Sequence, residues 1–176
     1  DYNAVSGVGG TYQIGPVAPG QYFVRANPTV VQGYADEYYN DQKDLSTANP
    51  VTVTALNDTT GVNFALVLAG VITGTIRDTL AQPLSGIDLD IFDSVSGQRL
   101  RRGATSDVNG VYQFDRLPPG TYNVRADPTL AQGYAMQYYN GKATQGTADV
   151  ITVSSGGTQS GIDFALASGG VITGNV

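Results

Sequence analysis

The stretch Gly10–Asn40, GTYQIGPVAPGQYFVRANPTVVQGYADEYYN, returns at Gly110–Asn140 as GVYQFDRLPPGTYNVRADPTLAQGYAMQYYN. The offset is 100 residues, and the register holds without a gap from 1–76 against 101–176. Tyr12 matches Tyr112, Tyr22 matches Tyr122, Arg25 matches Arg125, and Phe64 matches Phe164. Val71-Ile72-Thr73-Gly74 recurs as Val171-Ile172-Thr173-Gly174. A fixed period without insertions is the mark of tandem modules. A period of 100 is too long for one solenoid turn and is the size of one small β-sandwich.

Alternation locates the strands of the complete unit. Val71–Arg77 is the first. In the second, Ile87, Leu89 and Ile91 point one way while Asp88 and Asp90 point to solvent. Arg99–Ser106 is a third, and Val111–Asp115 places Tyr112 and Phe114 inward. Thr121–Ala126 turns Tyr122, Val124 and Ala126 inward, with Asn123 and Arg125 outward. Ala135–Tyr139 is short and ambiguous between strand and loop. Ile151 and Val153 mark another strand, and Ile162, Phe164 and Leu166 the last. Asp107-Val108-Asn109-Gly110 reads as a hairpin turn, and Pro118-Pro119-Gly120 as a rigid corner. About seven or eight short strands in one period predict two sheets packed on one core. The expected class is therefore all-β, as tandem seven-stranded Greek-key-type β-sandwich modules with a 100-residue period.

The repeat also predicts boundaries. Residues 70–170 are read as a complete module, and 1–69 as a module lacking its first strands. Residues 171–176 are read as the opening strand of a further module. The chain thus reads as a window cut from a longer array. The join, Phe64-Ala65-Leu66-Val67-Leu68-Ala69-Gly70-Val71-Ile72, has no Gly/Ser tether, so a stiff connection is expected. Val71, Ile72, Val171 and Ile172 are the candidates for strand pairing between modules, because an open apolar edge recruits another strand.

Composition narrows the function. The 176 residues carry a net charge of −6, and charged residues make up only 14%. This argues against nucleic acid, which needs clustered cations. The one basic cluster, Arg99, Arg101 and Arg102, reads as a solvated hairpin. No stretch has the length of a membrane span. Cys and His are both absent, which removes disulfides, thiolate chemistry, the commonest general base and an ordinary zinc site. No catalytic residue, cofactor or metal ligand is assigned. Asp88, Asp90, Asp93, Asp107 and Asn109 could offer oxygens to calcium, but no loop closes with a bidentate Glu.

The stretches GVITGTIRDTLAQPLSGIDLDIFDSVSGQRL and TSDVNGVYQFDRLPPGTYNVRA resemble the carboxypeptidase regulatory-like domain, akin to transthyretin-like and collagen-adhesin B-type modules. The resemblance implies a seven-stranded sandwich, secreted or surface-exposed, used in tandem as stalk, spacer or accessory module and not itself catalytic. Some such relatives crosslink a buried Lys to an Asn. Here Lys43 and Lys142 both follow Tyr-Tyr-Asn in a loop, which argues against that bond.

The repeated tyrosines, Tyr38 and Tyr39 with Tyr138 and Tyr139, are candidates for glycan stacking or for an interface. The stronger reading is packing, with one Tyr of each pair in the core and the other covering the sandwich end or touching the next module. Asn57-Asp58-Thr59 is a glycosylation sequon without a counterpart in the second copy. The function expected from all this is an extracellular structural protein, secreted or at the cell surface. It would be a semi-rigid rod of modules, with a filament assembled by strand complementation as its finer form. Its partners would be other copies of itself or adjoining modules of a longer chain. The alternative is a carbohydrate-binding or adhesive accessory module.

Overall fold

The computed structural model describes residues 2–174, apart from the side chains at 101 and 102. The side chains of Arg101 and Arg102 and the end of the expected strand 171–176 thus lie outside the described residues. The described residues form thirteen strands and four one-turn 3-10 segments. The chain divides into two compact units. The first joins Asp1–Ala26 to Tyr38–Ala65, and the second joins Asn27–Glu37 to Leu66–Val176.

The first four strands are short: β1 (Gly20–Tyr22), β2 (Arg25–Ala26), β3 (Glu37–Tyr38) and β4 (Val51–Val53). In the first unit β1 pairs antiparallel with β4, with Tyr22 opposite Val51. Its segments 11–17 and 62–66 carry no strand.

The second unit is a β-sandwich. Its strands are β5 (Gly70–Asp78), β6 (Asp88–Asp93), β7 (Arg99–Thr105), β8 (Val111–Leu117), β9 (Gly120–Asp127), β10 (Gln137–Tyr138), β11 (Ile151–Val153), β12 (Thr158–Gln159) and β13 (Phe164–Leu166). One sheet runs β10-β9-β6-β7, with β11 also on β9. β11 pairs with Gly120–Tyr122 and β10 with Arg125–Ala126, so the two share one edge of β9 in succession. In the other sheet β5 is central. β8 pairs antiparallel on one side of it, and β12 and β13 pair parallel, in succession, on the other. Counting each split edge once gives the four and three strand positions of a seven-stranded sandwich.

The period-two pattern supplies the core. Ile72 and Ile76 of β5 meet Leu89 and Ile91 of β6, Tyr112, Phe114 and Leu117 of β8, Tyr122 and Val124 of β9, and Phe164 and Leu166 of β13. All are buried. Such burial stabilises by roughly 1.5–3 kcal/mol per large side chain. Gly110, at φ 75°, closes the Asp107–Gly110 turn by donating its N–H to the Asp107 carbonyl at 2.9 Å. This conformation favours Gly because it has no Cβ.

The outer face of β6 and β9 differs from the expectation. Asp90, read as solvent-facing, is only 5% exposed. It is ion-paired with Arg99 and Arg125, and the Arg125 guanidinium lies 5.4 Å from the Phe92 ring centre. The segment after Tyr138 explains the burial. Asn123, read as outward, is also buried and bonds the Asp149 carbonyl at 3.3 Å. Gln145 bonds the Gly97 carbonyl at 3.1 Å.

The Tyr112 hydroxyl donates to the Ile162 carbonyl at 2.6 Å. Burial, then the charges of Asp163 and Tyr139, push its pKa above the ordinary value of 10.0. The unfolded chain releases this proton near pH 10 and the folded chain holds it, so stability is intact below about pH 10 and falls above it. From neutral pH to about pH 10 this hydroxyl adds no pH dependence to the thermal midpoint. The midpoint's fall at higher pH should be shallower in Tyr112→Phe, as scanning calorimetry would register.

Candidate functional site

Each of the four repeated tyrosines stands against another aromatic ring or a guanidinium. Tyr138 is buried, 5.8 Å from Phe92 between ring centres and beneath the Arg125 guanidinium. Tyr139 is half-buried and meets Phe164 edge-on at 6.2 Å. In the first unit Tyr39 meets Phe64 at 6.3 Å, and Arg25 lies over the half-buried Tyr38 ring at 5.8 Å. Asn140 bonds Asp149 at 2.6 Å, and Lys142 sits 3.9 Å from the same carboxylate. Tyr138→Ala should therefore lower stability by about 3 kcal/mol. Urea unfolding measures this loss, and a change under about 0.5 kcal/mol, the range of an ordinary surface substitution, would contradict the packing role.

Two of the polar candidates, Asp93 and Asp107, accept from the N–H groups of their own turns, and Asp88 and Asp90 are bound across strands. Asp107 accepts from the Asn109 and Val111 N–H groups, both at 2.8 Å. Asp93 accepts from the N–H groups of Val95 and Ser96 at 3.0 and 2.8 Å. Among the described residues no group of three or more Asp, Glu, His or Cys side chains is placed to hold a metal. A shallow groove is lined by Thr75, Arg77, Asp78 and Asp163. Asp163 is already bound by the Thr75 N–H and hydroxyl at 2.7 and 3.0 Å. The sequon residue Asn57 is exposed and donates to the Ala55 carbonyl at 3.1 Å.

Val71 and Ile72 lie in β5 and pair with β12. Ile72 is buried and also stands opposite Phe114 of β8. Their repeat mates differ. Val171 and Ile172 belong to no strand and are 64% and 100% exposed.

Sequence reasoning did not find the segment that leads into each opening strand. Within the second unit, Ala35 donates to the Val67 carbonyl and Ala69 to the Gly33 carbonyl, both at 2.9 Å. One period later Ala135 donates to Ala167 and Gly169 to Gly133, both at 2.8 Å. Bridges at Tyr34–Leu68 and Tyr134–Ser168 complete two equal clamps. Each clamp loop is shaped alike. Thr29 and Thr129 precede a one-turn 3-10 segment, Gln32 and Gln132 reach back to their N–H groups, and Gly33 and Gly133 end it left-handed. The first loop is also held by Arg116, which donates to Asn27 Oδ1 at 3.0 Å and to the Pro28 carbonyl at 3.3 Å. The sequence signal was present in the repeated P-T-x-x-Q-G-Y, since a Thr followed three residues later by Gln marks a cap.

The family model for the carboxypeptidase regulatory-like domain matches residues 71–167, more than half of the chain. The chain belongs to this family, and its second unit is the matching β-sandwich. No curated protein matches the chain. Similar solved structures include the Bacillus anthracis TIE protein, at 16% identity and a TM-score of 0.44, covering 94% of this chain and 28% of that one. The streptococcal ancillary pilin is 14% identical with a TM-score of 0.42, over 90% of this chain and 48% of its own. A Bacteroides uniformis protein proposed to bind carbohydrate is 17% identical with a TM-score of 0.38, over 55% and 40%. The chain spans less than half the length of each of these three.

Proposed function

We propose that the chain is part of an extracellular structural protein, in which tandem β-sandwich modules form a semi-rigid rod at the cell surface. Residues 70–170 are one whole module of it, 1–69 part of the module before, and 171–176 the start of the next. The observation that carries this reading is the duplicated clamp. The segments 67–69 and 167–169 are held by the same hydrogen bonds to loops 33–35 and 133–135. The chain is fixed in the same way just before each V-I-T-G stretch, as expected of modules that repeat. Backbone hydrogen bonds and the Arg116 contact hold the segment before β5 within the second unit, and it lacks the Gly/Ser run of a flexible tether. The family supports a non-catalytic stalk, and the Tyr rings serve its cores. Electron microscopy of cell-surface material labelled with antibody to this chain tests the reading. Labelled straight rods or filaments are expected. Label confined to isolated, non-associating globules would contradict it.

A further inference from the structure

In the second unit the first and last strands are neighbours and run the same way. β5 pairs parallel with β12 at its start, Val71 opposite Thr158, and with β13 at its end, Asp78 opposite Leu166. The chain therefore enters this strip of paired backbone at one end and leaves it at the other. Tension along the chain would draw β5 back by its first residue and β13 forward by its last. In that direction the strands must slide past each other, and the hydrogen bonds between them carry the load together. An antiparallel pair of end strands would be opened from one end, one bond at a time.

The pairing is interrupted between β12 and β13, at residues 160–163, where the chain crosses β5. Other bonds close the gap. Val71 donates its N–H to the Gly157 carbonyl at 2.9 Å, and Ile162 donates to the Thr73 carbonyl at 3.2 Å. Asp163 Oδ1 then accepts the Thr75 N–H at 2.7 Å and the Thr75 hydroxyl at 3.0 Å. A carboxylate oxygen thus stands where a backbone carbonyl would continue the ladder. The buried Tyr112 hydroxyl holds the Ile162 carbonyl from the other side at 2.6 Å. The far edge of β13 is fastened too. Gln137 Nε2 donates to the Ala165 carbonyl at 3.2 Å, and Ala135 N–H to the Ala167 carbonyl at 2.8 Å. Ile72, Ile76, Phe164 and Leu166 share one core, so sliding would also drag close-packed side chains past one another.

We infer that the second unit is a load-bearing element, which resists tension along the chain through shear of β5 against β12 and β13. Asp163 is the positioning residue that carries the load across the interruption. This rests on the rod reading above and gives that rod tensile strength.

Single-molecule force spectroscopy on the full chain is the test. The chain has no cysteine, so a pair of introduced thiols decides where it is held. Ala69→Cys with Ala167→Cys loads the strip in shear. Leu80→Cys with Ala167→Cys holds adjoining ends of β5 and β13 and peels them apart. At equal force the shear geometry should last more than about tenfold longer, because several bonds must yield together instead of in turn. Asp163→Ala in the shear pair should unfold about tenfold faster under load. Asp163→Asn, which keeps an acceptor for the Thr75 N–H, should stay close to the parent. If either thiol pair prevents folding, as circular dichroism would show, Val67→Cys with Ser168→Cys and Leu80→Cys with Ser168→Cys repeat the two directions. Equal lifetimes in both directions overturn the inference, as does Asp163→Ala unfolding no faster than its parent. The rod reading would survive either failure, because the cell-surface imaging tests it separately. Isolated globules in that imaging would overturn the rod without altering the lifetimes.

Discussion

Gly74→Ala is expected to cost the second unit about 3 kcal/mol or more, near the upper end for an overfilled core. The new Cβ would stand 2.0 Å from the Ile162 carbonyl oxygen, 2.5 Å from its carbon and 3.1 Å from its nitrogen. All three are backbone atoms, so no rotamer change relieves the overlap. The approach is close because the chain crosses β5 there. β12 ends opposite Ile72 and β13 begins opposite Ile76. Between them Ile162 donates to the Thr73 carbonyl at 3.2 Å and accepts the Tyr112 hydroxyl. A typical domain has a net stability of about 5–15 kcal/mol, so the loss is a large fraction of it. Gly103→Ala is the control. Its Cβ would meet its nearest neighbour, the Leu89 carbonyl oxygen, at 3.8 Å, and a change of about 0.5 kcal/mol or less is expected. Urea unfolding of both variants measures the difference, and equal midpoints would refute the crossing argument.

Asp90→Ala should be the most damaging single charge removal, at about 2–3 kcal/mol. Asp90 has one carboxylate oxygen on Arg99 and the other on Arg125. Its side chain is 7% exposed and that of Arg125 23%. Deleting the anion leaves a largely covered guanidinium over Phe92 and Tyr138, with Asp127 at 3.0 Å as its remaining ion pair. Breaking a fully buried pair costs about 3–5 kcal/mol, and partial exposure of Arg125 reduces this. Arg99→Ala should cost no more than about 0.5–1 kcal/mol, because its side chain is 61% exposed. A double-mutant cycle in urea separates the two. Equal losses from Asp90→Ala and Arg99→Ala would contradict the buried role of Asp90.

The core was legible because strands with one buried face alternate. Leu89 and Ile91, Tyr112 and Phe114, and Tyr122, Val124 and Ala126 all point where period two places them. The outer face was not legible, because its burial comes from the segment 138–149, distant in sequence and without periodicity of its own. Asp90 and Asn123 looked like solvent residues for that reason. The parallel pairing of β12 and β13 with β5 was hidden as well. Both are short, and they meet β5 from more than 80 residues away, where no local turn announces the partner. The clamp at Gly33 and Gly133 was written in a readable cap motif, yet its role depends on carbonyls of the departing chain.

Amide hydrogen exchange on the full chain measures the duplicated clamp most directly. The N–H groups of Ala35, Ala69, Ala135 and Gly169, each bonded to a backbone carbonyl, are predicted to exchange slowly. Fast exchange at Ala69 and Gly169 would contradict segments held in the same way before each V-I-T-G stretch.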